Sequence, residues 1–494
     1  MQRRMRYLKI AILFFMLMPS PLSAGEPMTL SKAIQYARER SVTALSAKSE
    51  FISSYWAYRA YKASRLPSIN LYGNLLSFDR SLTQLQNYET GEIVYANTFN
   101  MQNRLGISID QNITFTGGTL SLYSDISRID QFGEDKGHMY YAQPVSLSYT
   151  QPLFAYNTFK WEKKIAPKEY EMAQRVYIET MEQVNLYAVE YFFNLLLAEK
   201  NYEIAVMNHS DTEKMLAIAR SRMELGSVTR DEYLQLELRL LNDSISVNEM
   251  SMALKEAQMQ LNSLLGFDEA YEIDPVLDDY IPSIVMDYGM VLDRALNNSS
   301  FRLRHEIDML QADQNIAKAK ADRSGTVSLN ANFGLSNTDR TFKNVYLGLL
   351  DQEIVGLSFS FPIFDWGMGK GRVKEAEAAA EVVRAQAAQE ENDYRRSVFT
   401  AVTQFNNQRG QCGVSQRASK VAAERYGLVM DRFRGGSVSV TDLNTARSEN
   451  DEAYRKYIED ISNYWEFYYK LRQLTLYDFV LMKEIEVDFF EMLE

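Results

Sequence analysis

Asp431-Arg-Phe-Arg-Gly-Gly-Ser-Val-Ser-Val-Thr-Asp-Leu443 closes one very long helical pattern and opens another. Its near-copy is Ser221-Arg-Met-Glu-Leu-Gly-Ser-Val-Thr-Arg-Asp-Glu-Tyr233. Laid over each other, Gly436 falls on Gly226, Ser437-Val438 on Ser227-Val228, Ser439 on Thr229 and Arg432 on Arg222. Two helical hairpin tips with the same chemistry imply a chain built twice from one plan.

The pattern around each tip supports this. From about Asn157 to Glu224 the spacing is helical, with Leu186, Val189, Phe193 and Leu196 recurring at threes and fours. Leu225-Gly226-Ser227 turns the chain. The return helix carries Leu234, Leu238, Leu241, Ile245, Asn248 and Met252, a heptad seam, and stops at Gly266. The second copy runs from about Lys370 to Arg434, with Val373, Ala376, Ala380, Val383 and Ala387 on one seam. It returns from about Val440 to Leu476.

Upstream of each long helix the period changes from helical to two. A short helix over Met28 to Arg40 and a second from Val42 to about Arg65 are stopped at Leu66-Pro67. Ile69, Leu71, Gly73 and Leu75 then alternate with Asn70, Tyr72 and Asn74. Ser77 to Phe99 reads as polar and turn-rich. Alternation resumes around Leu105 and Leu120, and again at Val145, Leu147 and Tyr149. In the second copy, Asp287 to Ser299 overlies Thr29 to Ser41 at a shift of about 258 residues. Val355 to Phe364 overlies Val145 to Phe154 at about 210, the same shift as at the tips. The first strand pair therefore carries roughly 48 extra residues, which hold the additional alternating segments. They could widen a barrel, fold outside it or line it.

The expected domains are a signal peptide at 1–24, a first structural repeat at 25–282, a second at 283–476 and a tail at 477–494. The signal peptide rests on Arg3, Arg4, Arg6 and Lys9, the apolar Ile10 to Met18, and Leu22-Ser23-Ala24. No later segment is apolar enough for a membrane helix. At 1.5 Å per residue the long helices are each about 100 Å, the return helices about 55 Å and the lead-in helices about 35 Å. A return helix and the next lead-in helix, end to end, match one long helix. The expectation is a rod with strands at one end and tips at the other. About four half-apolar strands of ~9–11 residues fit a shared transmembrane barrel, about twelve strands from three chains. A soluble β cap on a coiled coil is the alternative. The fold class is α+β, mostly α: an internally duplicated long-helix coiled-coil barrel plus transmembrane β-barrel strands, completed by trimerisation.

Other classes find little support. The net charge of −12 and pI near 5.1 argue against nucleic-acid binding. The lone Cys412 permits no intrachain disulfide and reads as a small packed residue. His138, His209 and His305 have no ligand spacing, and there is no Walker-type loop, nucleophile elbow or metal cluster. The chain reads as a passive conduit with no enzyme activity, cofactor or metal. A structural stalk or surface interaction protein is the alternative function.

The doubled plan resembles the outer membrane efflux protein (TolC-like) family. The features are Gln151-Pro152-Leu153-Phe154 and Phe361-Pro362-Ile363-Phe364 before the long helices, and the two Arg-x-x-x-Gly-Ser-Val tips. The resemblance spans about Met28 to Leu476. It implies a homotrimer whose β-barrel meets outer-membrane lipid and whose helical barrel crosses the periplasm. It further implies an inner-membrane transporter and a periplasmic adaptor docking at the tips, with drugs, small toxic compounds or secreted polypeptides as cargo. By position, Asp442 corresponds to a pore-facing aspartate, which in a trimer makes a ring of three carboxylates; Glu232 is its counterpart in the first repeat. Arg222, Leu225, Gly226, Ser227, Arg432, Gly435, Gly436 and Ser437 form the docking tips. Val438 and Thr445 depart from the family, standing where a gate arginine and a second aspartate can occur. Read without the resemblance, Asp442 is a carboxylate suited to a helix N-terminus, and the two arginines are cations suited to helix C-termini.

Overall fold

The structure, a computed structural model, describes residues 26–86, 91, 93–133, 136–226, 228–277, 280–435 and 437–493. The expected signal peptide, Ser227 and Gly436 lie outside the described residues.

The chain opens with β1 (Glu26–Thr29), α1 (Leu30–Arg40) and α2 (Val42–Ala63). Four strands follow: β2 (Ser68–Gln86), β3 (Ile93–Ile113), β4 (Gly118–Gln131) and β5 (Gly137–Leu153). Then come the 67-residue α3 (Thr158–Glu224), which runs on through Pro167, and the 36-residue α4 (Arg230–Leu265). A short β6 (Ile273–Val276) leads into the second repeat: α5 (Tyr288–Asn298), α6 (Ser300–Ser324), β7 (Thr326–Asp339) and β8 (Leu350–Ser360). It closes with α7 (Met368–Arg434), again 67 residues, and α8 (Val440–Thr475), again 36.

The duplication extends to the hydrogen bonds that start each helix. Thr29 caps α1 and Asp287 caps α5, each side chain accepting a backbone N–H from the first turn. Ser41 and Ser299 end those helices. Thr229 caps α4 and Ser439 caps α8. These are the pairs aligned by the two sequence shifts, and a cap of this kind contributes ~1 kcal/mol.

The residues cluster into two compact units, each built from both repeats. The first comprises the chain to Phe51, Gln174–Ser300 and everything from Asn392. Its two main cores repeat the same arrangement. Ala33 and Ala37 of α1 pack with Val184, Phe192 and Leu195 of α3, Leu261 and Leu265 of α4 and Ile461 of α8. Val291 and Ala295 of α5 pack with Val398 and Phe405 of α7 and Tyr464 and Leu471 of α8. The small alanines let backbones approach, and each large buried side chain contributes ~1.5–3 kcal/mol before entropy is subtracted. Met28 is fully buried, held as β1 pairs in parallel with β6.

The tail from Tyr477, which the sequence leaves unplaced, docks on this first unit. Tyr477 and Phe479 enter its second core, and Phe489 packs at a tilt against Phe51, ring centroids 4.8 Å apart. Asp478 is bound by Arg472, whose guanidinium also holds the fully buried Glu182 bidentately at 2.9 and 3.0 Å.

The second unit, residues 52–173 and 301–391, carries one antiparallel sheet of order β2-β3-β4-β5-β7-β8. Two expectations change here. The chain contributes six strands rather than about four, because β3 and β4 are inserted between β2 and β5. The stretch from Ser77 to Phe99 is mostly strand: β2 and β3 stay paired from Ser77↔Gln102 out to Gln86↔Ile93. Backbone pairing carries the polar segment past a bulge at Leu76, whose N–H is caught by Asn103 Oδ1 at 2.8 Å. Among the described residues no helix is long and apolar enough to cross a membrane.

Candidate functional site

Two places carry functional geometry: the paired hairpin tips in the first unit and the two-faced sheet in the second.

At the tips, Met215, Ala219, Leu236, Met430, Phe433, Val440 and Leu443 form one apolar cluster, joined by Val228 and Tyr233. The hairpins are thus side by side. Gly226 turns the first with φ +73°, where glycine avoids the Cβ penalty. Leu225 stands exposed beside it. In the second tip Gly435 N–H donates to Asp431 O and Ser437 N–H to Arg432 O, both at 3.0 Å. Arg222 reaches across to donate to the carbonyls of Phe433 and Arg434, at 3.4 and 2.7 Å. Its cation satisfies acceptors that the end of α7 leaves open. Arg432, its counterpart, lies exposed.

Both sequence-predicted carboxylates sit in the first turn of a return helix. Glu232 accepts from Thr229 N–H at 2.9 Å while Thr229 Oγ1 accepts from Glu232 N–H, a reciprocal capping box. The Thr229 N–H first, and then its hydroxyl, which donates at 3.0 Å, hold the Glu232 carboxyl below its ordinary range. Asp442 accepts from Ser439 Oγ at 2.7 Å and donates its N–H to the same hydroxyl. Asp442 is exposed and Glu232 half-exposed, so each also presents negative charge to solvent. Thr445 is turned back on its own helix, donating to Thr441 O.

A buried charge cluster links three helices in the same unit. Arg447 of α8 donates to Asp243 of α4 at 2.9 Å and to Thr212 of α3 at 3.0 Å; Thr212 in turn donates to Asp243 at 2.6 Å. Asn208 donates to Asp451 at 3.0 Å. Sequence reasoning missed this cluster. The signal was present in α8: Val440, Leu443, Arg447 and Asp451 lie on one buried line, so charge occupies seam positions.

The sheet has two unlike faces. Cross-strand partners share a face, so the register reads it directly. One face carries Ile69 and Leu71 of β2, Ile107 and Ile109 of β3, Leu122 of β4, Leu147 of β5, Phe333 of β7 and Leu357 and Phe359 of β8. These side chains are exposed, Leu71 at 72% and Phe359 at 71%. The other face is polar and closed in. Asp125 is 4% exposed, Ser127 2% and Ser146 0%. Asp125 accepts from Arg104 at 2.7 Å and from Tyr72 at 3.2 Å, Asp110 accepts from Asn70 at 2.8 Å, and Asn332 donates to Tyr123 at 2.8 Å. Crowded polar side chains opposite splayed apolar ones mean that the sheet curls toward its polar face. Two glycines make room: a Cβ on Gly106 would meet Asp125 and Tyr72 at 2.6 Å, and one on Gly334 would meet Ser146 Oγ at 2.3 Å. Aromatic rings border the apolar band. Phe78, Phe99 and Phe132 cluster where β4 ends, and Phe154, Phe364 and Trp366 stand exposed where the strands meet α3 and α7. An apolar belt between aromatic borders over a polar interior is the pattern of a membrane barrel wall.

The sequence profile described as "Outer membrane efflux protein" matches residues 33–267 and 291–475. The chain belongs to this family. Outer-membrane channels and proteins are among its structural neighbours. VceC of Vibrio cholerae superposes with TM-score 0.61 at 15% identity, over 92% of this chain and 97% of that one. CmeC of Campylobacter jejuni gives 0.65 at 14%, over 93% and 87%, and the open state of MtrE of Neisseria gonorrhoeae gives 0.59 at 14%, over 93% and 91%. No curated protein matches the chain in sequence. The protein is an outer-membrane efflux channel.

Proposed function

We propose that three copies of this efflux-family chain form one conduit for export, taking small molecules or polypeptides from an inner-membrane transporter through a periplasmic adaptor. The observation that carries the reading is the curled sheet with its lipid-suited outer face and its two unpaired edges, β2 and β8. In hydrocarbon each unpaired backbone group costs several kcal/mol, so the edges must find partners. A second copy supplies them. The heptad seam of α4 supports the same assembly: Leu234, Leu238, Leu241, Ile245 and Met252 are all exposed, as are Val414, Val421 and Leu428 at heptad spacing on α7.

Within the conduit, Asp442 forms a carboxylate ring at the tips, with Glu232 adding a second set of negative charges. Their place in first turns, beside N–H groups, orients them. Arg432 and Leu225, exposed at the tips, are offered to the adaptor together with Gly226, Gly435 and Ser437, and Ser227 and Gly436, which lie outside the described residues, belong to the same proposed surface. Arg222 contributes by fixing the two hairpins together. The conduit hydrolyses nothing and draws its energy from the transporter.

The test is the mass of the detergent-solubilised protein followed by conductance in planar bilayers. A trimer that conducts, and conducts more with weaker divalent-cation block after Asp442→Ala, supports the reading. A monomer, or a particle that never conducts, refutes it. Charge reversal of Arg432 that left adaptor crosslinking intact would remove that residue from the docking surface.

A further inference from the structure

The two inserted strands belong to the wall itself. β3 and β4 are paired over fourteen consecutive residues, from Asn100↔Gln131 to Ile113↔Gly118, with no bulge between them. β3 pairs with β2 on its other side and β4 with β5, so the hairpin separates two strands that would otherwise be neighbours. Its turn is fastened where the strands meet the helices. Gln111 donates to Arg65 O at 3.1 Å and Asn112 to Ser64 O at 3.4 Å, at the end of α2. Asn157, just before α3, donates to the carbonyls of Thr114 and Phe115, both at 3.2 Å. The inserted strands continue both faces: Ile107, Ile109 and Leu122 extend the apolar one, and Ser108, Asp110, Ser121 and Asp125 the polar one.

Parity permits closure. Every junction in the sheet is antiparallel, so with six strands β2 and β8 run in opposite directions. The β8 edge of one copy can therefore meet the β2 edge of the next as an antiparallel pair, as closed barrels require.

We propose that β3 and β4 are staves of the barrel, so that three copies close eighteen strands around a lumen that admits bulky polar solutes and polypeptide segments wider than a single helix. This rests on the trimeric conduit reading. With strands ~4.8 Å apart and tilted ~40°, twelve strands give a backbone diameter of ~24 Å and eighteen ~36 Å. Side chains fill ~5 Å of each wall, half the spacing of packed sheets, leaving clear widths of ~14 and ~26 Å. The polar lining is dominated by Ser, Asn and Tyr, with Asp125 neutralised by Arg104 and Asp110 held by the neutral Asn70 and Ser108. Admission at the lipid level is thus set first by size, with Asp110 adding one negative charge per copy.

The test uses the full chain with Cys412→Ser and one new cysteine, Ser121→Cys on the polar face of β4, treated from the strand side with maleimides of graded diameter. That side is open whatever the state of the tips. The eighteen-strand lumen predicts that reagents ~20 Å across label at a rate within about tenfold of the smallest one. Exclusion of the ~20 Å reagent while the smallest still reacts means a narrow lumen, and the proposal falls. Leu122→Cys, one residue on and on the apolar face, is expected to be shielded by lipid from the same water-soluble reagents. Equal labelling at both positions would put the hairpin outside the wall, which also overturns it. Ser148→Cys on β5, which faces Ser121, replaces that variant if it does not assemble. Mass in detergent is read first: a particle that is no trimer defeats the conduit reading itself, whereas a trimer with the wrong labelling defeats only the stave count.

Discussion

Replacing Asp243 of the Arg447 cluster should destabilise the first unit more than replacing Arg447 does. The side chains of Arg447 and Asp243 are 3% and 7% exposed, so neither charge is hydrated. Asp243→Leu leaves the guanidinium, among the described residues, with the Thr212 hydroxyl as its hydrogen-bond partner. Removing one partner of such a pair costs ~3–5 kcal/mol, since the survivor is an uncompensated buried charge. Arg447→Met is milder. The stranded Asp243 keeps the Thr212 hydroxyl at 2.6 Å and the Arg239 guanidinium at 3.1 Å. Arg239 is 37% exposed, so water screens what it offers and the relief is partial. The combined Asp243→Leu/Arg447→Met change leaves no stranded charge and should recover most of the loss, because apolar replacement of a whole buried pair is commonly near neutral. Denaturant melts followed by helix circular dichroism, with hydrogen exchange around Thr212, measure the three variants. Equal losses in the two single variants, or a double variant no better than Asp243→Leu, would refute the reasoning.

Gly334→Ala should impair barrel assembly by ~1–3 kcal/mol through overpacking against Ser146, and Ser146→Gly should restore it; a heat-modified gel shift of the assembled form reads both. Cys412, 2% exposed with its thiol pushed up to about 11 by burial, should resist maleimide at pH 8 in the native protein and react once unfolded. The Glu232 box should hold the start of α4 at neutral pH. Its carboxyl pKa is depressed, so the contribution is fully present above the unfolded value of about 4.3 and is lost as pH falls through the lower folded value. Hydrogen exchange at Tyr233, compared with Glu232→Gln, would follow that loss. Arg222→Ala should free the Phe433 and Arg434 carbonyls and fray the end of α7, seen as faster exchange there with the rest of α7 unchanged.

The helical plan was legible because its periods are long and its punctuation repeats. Thr29 and Asp287, or Thr229 and Ser439, are different residues doing one capping job, and the shifts of about 258 and 210 residues aligned them before any coordinate did. The strands were half legible. Ile69 and Leu71 announce themselves by alternation, but Ser77 to Gln86 has polar residues on both faces, and only the partner strand gives it form. The place of the inserted hairpin was open for the same reason: alternation gives a strand two faces and says nothing of its neighbours. The tail was opaque because Tyr477, Phe479 and Phe489 follow no period and find their pockets one by one. Arg447 escapes a reading of apolar period because it is charged, although its position on the Leu443 line marks it as interior.

The parallel pairing of β1 with β6 bears on the order in which the polypeptide acquires its form. Glu26 faces Ile273, so β1 has no partner strand until the whole α3–α4 hairpin has been made behind it. Closing this clasp is therefore a late step, and a chaperone that shelters β1 would be gripping the segment that later reports the first repeat as finished.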